Sequence, residues 1–412
     1  MDIFISLFGL VALLALGLLL SRDRRAINWR TVGGAFALQF GLGALVLYSD
    51  SGRAALAKLS GGVAAVIQFG NQGINFIFGD LAGKNGFVFG IHVLGLIVFF
   101  SSLIAVLYHL GVMQWLVRLI GGALARLLGT SKGESLAAAS NIFVGLSEAP
   151  LVIKPYVAGM TRSELFAVMV GGLASVAGSV IGGYAQMGVS LDYLLTASFM
   201  AAPGGLLFAK LLYPEIEVPA NYDEKRGFSD GEQPSSNVID AAAGGAITGL
   251  HMALNVGAIV LCFVGFVALF NGLVGTVGNW FGIEALSLEK LLGYGFAPVA
   301  WLLGTPWAEA PTVGALLGQK LVANEFVAYM SFTQHLQDAS AIALSAKTQA
   351  IISFALCGFA NFGSIAILVG GLAVIAPQRR AEVAKLGPLA LLAGTLANLM
   401  SACLAGLFLS LA

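Results

Sequence analysis

Two short stretches decide how this chain folds: Gly172-Leu173-Ala174-Ser175-Val176-Ala177-Gly178-Ser179 and Gly358-Phe359-Ala360-Asn361-Phe362-Gly363-Ser364. Both follow the pattern Gly-x-Ala-(Ser/Asn)-x-small, a composition that weakens a helix and leaves polar side chains on it. Each lies inside an apolar run, near Leu165–Met187 and Thr348–Ile375, long enough to cross a hydrocarbon core at about 1.5 Å per residue. The pattern predicts two membrane helices that break partway across. A semi-apolar stretch precedes each one, Gly133–Val157 and Trp307–Gln337, and each stretch carries a carboxylate near its middle, Glu148 and Glu325. Both are too interrupted to span, yet long enough to enter the membrane and turn back. Non-helical backbone at that depth is tolerated only where protein or a water-filled cavity surrounds it, so two re-entrant hairpins are the economical reading.

The composition around these stretches supports a bilayer setting. Of 412 residues, 58% are hydrophobic and 10% charged, against roughly 25% charged in soluble domains. Continuous apolar runs exclude an outer-membrane barrel, whose strands alternate. A net charge of zero, with no long basic block, gives no support for nucleic-acid binding. Cys262, Cys357 and Cys403 lie in apolar runs without metal-like spacing and read as packing residues.

Further spans lie near Ile3–Leu20, Thr31–Tyr48, Val88–Leu110, Leu194–Leu212, Ala243–Leu273 and Leu386–Leu411, which makes eight and puts both termini on one side. The first span is followed, not preceded, by Ser21-Arg22-Asp23-Arg24-Arg25, so it reads as a retained helix rather than a secretory signal. With the termini outside, the inner loops hold Arg22, Arg24, Arg25, Arg30, Arg118, Arg126, Lys132, Lys154, Arg162, Lys210, Lys225, Arg226, Arg379, Arg380 and Lys385. The outer loops hold only Arg53, Lys58, Lys84, Lys290 and Lys347, the asymmetry expected of cytoplasmic loops. Lys320 is left over, inside the second hairpin. Pro214 to Ser236 reads as a cytoplasmic linker, and Met113–Leu128 and Leu286–Trp301 read as interfacial helices.

In this topology the first hairpin enters from inside and the second from outside. A unit of hairpin, broken helix and helix therefore occurs twice with inverted orientation. That is the sequence sign of a secondary transporter, in which unwound backbone near the midplane holds substrate and ion. A carboxylate that cannot snorkel to water is a functional candidate by default, and Glu148 and Glu325 would suit a ligand rich in hydroxyl and N–H donors. A Na⁺ site needs neutral oxygens, which Asn141, Ser175 and the carbonyls near Val144 and Val176 would supply. Asn361 and Ser364 are further polar groups at a break. His92, His109, His251 and His335 show no metal-ligand spacing. Glu309 is expected near the outer mouth, and Asn255 and Asn398 as interhelical hydrogen bonds. No HExxH, GxSxG or Walker A motif appears, which argues against a metalloprotease, a hydrolase or an ATP-driven pump. A channel is the rival reading from another class.

The residues Asn141-Ile142-Phe143-Val144-Gly145-Leu146-Ser147-Glu148-Ala149-Pro150, Val322-Ala323-Asn324-Glu325-Phe326-Val327-Ala328-Tyr329 and Cys357-Gly358-Phe359-Ala360-Asn361 resemble the concentrative nucleoside transporter family. The likeness extends through Ala201-Ala202-Pro203-Gly204-Gly205 and Asn237-Val238-Ile239-Asp240-Ala241-Ala242. It implies an all-α bacterial inner-membrane protein that forms a homotrimer in the lipid bilayer, imports nucleosides and moves like an elevator. It also implies that the chain is not an enzyme. Residues 1–112 would form scaffold helices, 113–213 the first transport repeat, 214–236 the linker, 237–285 a further scaffold helix and 286–412 the second repeat. By the same resemblance, Leu146, Ser147, Glu148 and Val180 would face the nucleobase. Glu325, Asn361 and Ser364 would hold the ribose hydroxyls, with Phe359 packing nearby. Asn141 and Ser175 side chains with Val144 and Val176 carbonyls would hold Na⁺ as the coupling ion, in preference to a proton. One departure stands out: the family's usual Gly-Gln-(Ser/Thr)-Glu reads Gly145-Leu146-Ser147-Glu148 here, so base recognition loses an amide.

Overall fold

The computed structural model describes residues 2–83, 87–146, 148–219, 235–282 and 286–411. Ser147, Lys84, Lys225, Arg226 and most of the Pro214–Ser236 linker lie outside the described residues. The fold is all-helical. It opens with α1 (Asp2–Leu19) and α2 (Trp29–Gly43), the latter started by the Asn28 side chain, which accepts from Arg30 N and Thr31 N, and extended by a π-turn, Ala44–Tyr48. Then come α3 (Asp50–Phe78), a short α4 (Asp80–Gly83), α5 (Phe89–His109) and α6 (Val112–Leu128).

The first hairpin is asymmetric. Its entering arm, α7 (Lys132–Ser140), is started by a reciprocal capping box between Ser131 and Glu134. Its returning arm is split into α8 (Ala149–Val152) and α9 (Lys154–Val157), where Pro150 and Pro155 each remove a backbone donor. The broken helix follows as α10 (Arg162–Ala174), capped by Thr161 and Glu164, and α11 (Gly178–Gln186), and the unit closes with α12 (Leu191–Leu212).

After α13 (Val238–Trp280) and α14 (Leu288–Leu302) the same order recurs. The second hairpin is α15 (Ala310–Val322) with α16 (Glu325–Gln337). The second broken helix is α17 (Ala346–Leu356) with α18 (Phe362–Ile375), and α19 (Arg380–Leu411) completes the repeat. The eight expected spans thus correspond to α1, α2 with its π-turn, α5, α10–α11, α12, α13, α17–α18 and α19. The expected interfacial helices correspond to α6 and α14.

The eight-span reading makes no provision for α3, a helix of 29 residues. Its polar positions Gln68, Asn71, Gln72 and Asn75 dilute the hydropathy of the run. Its apolar stripe still buries Ile67 and Ile74 against Leu96 and Phe100 of α5. Gly70 is the point of closest approach there, since a Cβ on it would fall on Leu96 and Phe99. A second difference is the length of α13, whose 43 residues exceed the expected Ala243–Leu273. At 1.5 Å per residue that is roughly 65 Å, about twice the hydrocarbon core.

Packing divides the helices into two groups. The broken helices, α12 and α19 surround one core in which Phe166, Met169, Leu173, Phe208, Phe354 and Met400 are fully enclosed. Helices α1 and α2 lie against α12 and α19. Helices α5 and α13 pair with each other, Gly245 and Gly249 letting α13 close on Ser101 and Val98. This pair meets the core chiefly at α11, where Gly182 and Gly183 receive Phe100 and Val93. The opposite face of α13 leaves Ile247, Leu254, Leu261, Phe266 and Leu269 exposed, an apolar surface suited to lipid or to another subunit.

Candidate functional site

The second hairpin turns at Ala323–Asn324, and Asn324 starts α16 by accepting from Val327 N (2.9 Å). Glu325 is therefore the first residue of α16, where the helix presents unsatisfied N–H groups and the positive end of its dipole. Its side chain is buried at 3% exposure. One carboxylate oxygen accepts from the Tyr184 hydroxyl (3.1 Å) and the other from Asn361 Nδ2 (3.2 Å). Asn361 is the N-cap of α18, and its Oδ1 accepts from Ser364 N (2.9 Å). The capping bond fixes the carboxamide so that its NH₂ can only point at Glu325. Glu325, Asn361 and Ser364 thus form one connected group at the second break.

Tyr184, on α11 one turn beyond Val180, belongs to this group although the sequence reading passes over it. A tyrosine in an apolar half-helix reads as core; Val180, one turn before it and expected at the base, is fully buried. The Tyr184 ring packs on Phe326 (centroids 4.8 Å) and on Tyr329 (4.7 Å), whose own hydroxyl donates to Ser353 O (2.7 Å).

The turn of the first hairpin lies against the first break. Gly178 N donates to Phe143 O (2.9 Å), and a Cβ on Gly178 would fall 2.7 Å from that oxygen, so only glycine permits this approach. Ile142 O accepts from the Ser198 hydroxyl (3.0 Å), and the Ser175 hydroxyl donates to Gly171 O (2.9 Å). Asn141 is 2% exposed, and neither polar atom of its carboxamide has a hydrogen-bond partner. It faces Gly171, where a Cβ would lie 3.0 Å from Nδ2. A buried amide left unmet is costly. With Ser175, Val144 and Val176 buried nearby along the same turn and break, this neutral donor set fits a monovalent cation held by oxygens. Among the described residues no group of three His, Cys, Asp or Glu is placed to hold a metal ion.

Leu146 is buried, its Cβ 3.1 Å from where a Cβ on Gly172 would lie. Glu148 is half-buried and folds back on its own turn, one oxygen accepting from Gly145 N (3.3 Å). Ser147 lies outside the described residues. The Phe359 ring reaches within 3.9 Å of a Cβ placed on Gly145, so the second break and the first hairpin tip meet. Phe359 N donates to Ser175 O (3.0 Å), joining the two breaks backbone to backbone. Glu309, expected near the outer mouth, accepts from the exposed Ser345 N (3.2 Å) and Oγ (3.1 Å).

Two helices broken at matched points, each met by a hairpin tip and joined at their breaks, define a membrane transporter of the broken-helix class. Residues 8–81, 91–191 and 193–406 match three families, described respectively as the N-terminus of Na⁺-dependent nucleoside transporters, a nucleoside-recognition gate, and the C-terminus of Na⁺-dependent nucleoside transporters. The chain belongs to this family of nucleoside transporters.

It is 50% identical to the nucleoside permease NupC of Helicobacter pylori over 99% of each chain. It is 37% identical to human sodium/nucleoside cotransporter 1 over 98% of this chain and 63% of that longer one. Its fold matches CNTnw in an inward-facing substrate-bound state (TM-score 0.95, 57% identical, covering 100% and 99% of the two chains). A CNTnw variant in an outward-facing state matches equally well (TM-score 0.97, 56% identical, 100% of both chains).

Proposed function

We propose that this protein imports nucleosides across a bacterial inner membrane by Na⁺ symport, with both termini outside and the two hairpins re-entrant from opposite sides. The observation that carries the reading is the buried Glu325–Asn361 pair at the second break, set beside an unpartnered Asn141 carboxamide at the first. Glu325 offers lone pairs to ribose hydroxyls, Asn361 and Ser364 hold its neighbourhood in register, and Phe359 closes the sugar side. Leu146, Ser147, Glu148 and Val180 border the base. Asn141 and Ser175 side chains, with Val144 and Val176 carbonyls, bind Na⁺.

Na⁺ binding draws the first hairpin onto the first break and so completes the nucleoside site. Coupling follows if the fully loaded and empty carriers move readily and the Na⁺-only form moves poorly, which is a difference in the stability of states. The moving unit comprises the two transport repeats, residues 113–213 and 286–412, while the scaffold helices of residues 1–112 and 237–285 stay fixed. The exposed apolar face of α13 fits a homotrimer contact or lipid.

Uridine uptake into proteoliposomes tests the symport. An inward Na⁺ gradient at fixed pH is expected to drive accumulation. Accumulation driven by external acid, and indifferent to Na⁺, would replace the ion with a proton.

A further inference from the structure

Besides the Phe359–Ser175 bond, the two helix breaks are joined by a side chain that belongs to neither. Asn398 of α19 donates through Nδ2 to Ala174 O (2.6 Å), the last carbonyl of α10, and to Cys357 O (3.1 Å), just past the end of α17. Its Oδ1 accepts from Lys320 Nζ (2.8 Å), and the same ammonium donates to Ala355 O (2.7 Å). Lys320 and Asn398 are both buried. A Cβ on Gly358 would collide with the Asn398 carboxamide, so the break closes on Asn398 only because it has a glycine there.

The last turn of a helix leaves carbonyls without intrahelical donors, and these carry the negative end of the helix dipole. Two such ends, of α10 and α17, converge here at membrane depth, where an unmet carbonyl is expensive. One carboxamide serves both. Both ends of this carboxamide are fixed: the two carbonyls can be served only by Nδ2, and the ammonium, which can only donate, holds Oδ1. The ammonium draws Oδ1 toward itself, and Nδ2 is then left facing the two carbonyls.

We infer that Lys320 and Asn398 are positioning residues that make ion binding and nucleoside binding interdependent, an inference that rests on the Na⁺–nucleoside reading above. Ala174 directly precedes Ser175 and Val176, the proposed Na⁺ ligands. Cys357 lies two residues before Phe359 and four before Asn361. An ion that draws in the first break shifts Ala174 O, and Asn398 passes that shift to the segment that holds the sugar. Without the staple, coupling falls to what the Phe359–Ser175 bond and the first hairpin still carry.

The test is uridine binding to the purified full-length protein at saturating Na⁺ and with Na⁺ replaced by choline, the ratio of the two affinities being the coupling factor. Such factors typically run from about 5- to 150-fold. Asn398→Asp keeps the shape and pairs with Lys320 but cannot donate to either carbonyl. Lys320→Met keeps the length but not the charge. Each is expected to lower the ratio by at least about threefold while the Na⁺-free affinity changes little, and Lys320→Arg is expected to preserve the ratio. A ratio unchanged in Asn398→Asp, or equal losses of affinity with and without Na⁺, overturns the inference. If Lys320→Met does not fold, Asn398→Asp and Lys320→Arg decide it by the same criterion. A wild type that binds uridine equally in both media refutes the Na⁺ reading and this inference with it. A wild-type ratio well above unity that survives Asn398→Asp refutes the staple alone.

Discussion

Glu325→Gln is the substitution whose effect can be worked most closely from the geometry. Glutamine fills the same volume, so the packing of Phe326 and Tyr329 of α16 on Tyr184 persists. The change turns one acceptor oxygen into an NH₂ donor. That NH₂ cannot face Asn361, whose own Nδ2 points at residue 325 and cannot turn over because Asn361 Oδ1 is held by Ser364 N at 2.9 Å. It must face Tyr184, whose hydroxyl can accept as well as donate. The contact with Tyr184 is kept with its direction reversed, the buried hydroxyl proton giving up its carboxylate acceptor, and the sugar finds one charged acceptor fewer. A hydrogen bond to a charged group contributes about 1.5–3 kcal/mol, so uridine affinity is expected to fall about 10- to 150-fold. Equilibrium binding of uridine and 3′-deoxyuridine to both proteins completes a double-mutant cycle. If Glu325 accepts from the 3′-hydroxyl, deleting both partners costs little more than deleting one. Penalties that simply add would refute the pairing, and a Glu325→Gln protein that binds uridine like wild type would remove Glu325 from the sugar site.

Three further outcomes follow from other parts of the molecule. Asn141→Ala is expected to abolish the Na⁺ dependence of uridine uptake in proteoliposomes at fixed pH; uptake that still follows the Na⁺ gradient would place the ion elsewhere. Leu146→Gln restores an amide at the hairpin tip and is expected to shift preference toward uridine or cytidine by about 0.5–1.5 kcal/mol, one net hydrogen bond, in competition assays with a nucleoside panel. An unchanged ranking would mean that residue 146 packs on Gly172 and never meets the base. Lys210 Nζ lies 2.6 Å from the buried Glu134 carboxylate, 3.6 Å from Glu215 and 3.0 Å from Ser163 Oγ, tying the start of the first hairpin to the end of α12. Lys210→Met strands a buried carboxylate and is expected to destabilise the fold by about 3–5 kcal/mol, read as a large fall in the unfolding midpoint in detergent; an unmoved midpoint would mean that the pair does not hold the hairpin.

What the sequence made legible, and what it hid, follows from the range over which each signal acts. The two breaks could be read because glycine, serine and asparagine inside an apolar run act locally, on the backbone that carries them. Glu148 and Glu325 could be picked out because a carboxylate in such a run is anomalous without reference to any partner. Tyr184 carries no such mark. Its role depends on a hydroxyl bond to Glu325, 141 residues further along the chain, and an aromatic residue in an apolar helix is unremarkable until that partner is located. Asn398 could be read as an interhelical hydrogen bond, but not as the point where two half-helix ends converge, because Ala174 lies 224 residues before it and Cys357 41. Lys320 was visible as an anomaly with no assignment, since a charge signals expense without saying what it opposes. Helix α3 escaped for the opposite reason, because its polar residues conceal a buried stripe whose partner, α5, the hydropathy of either segment alone does not reveal. The groups proposed to touch a ligand are thus largely those with local signatures, whereas those that join the two breaks are defined by distant partners. A search of the sequence for intramembrane charges and helix breakers therefore finds the binding groups of such a transporter more readily than the groups that couple them.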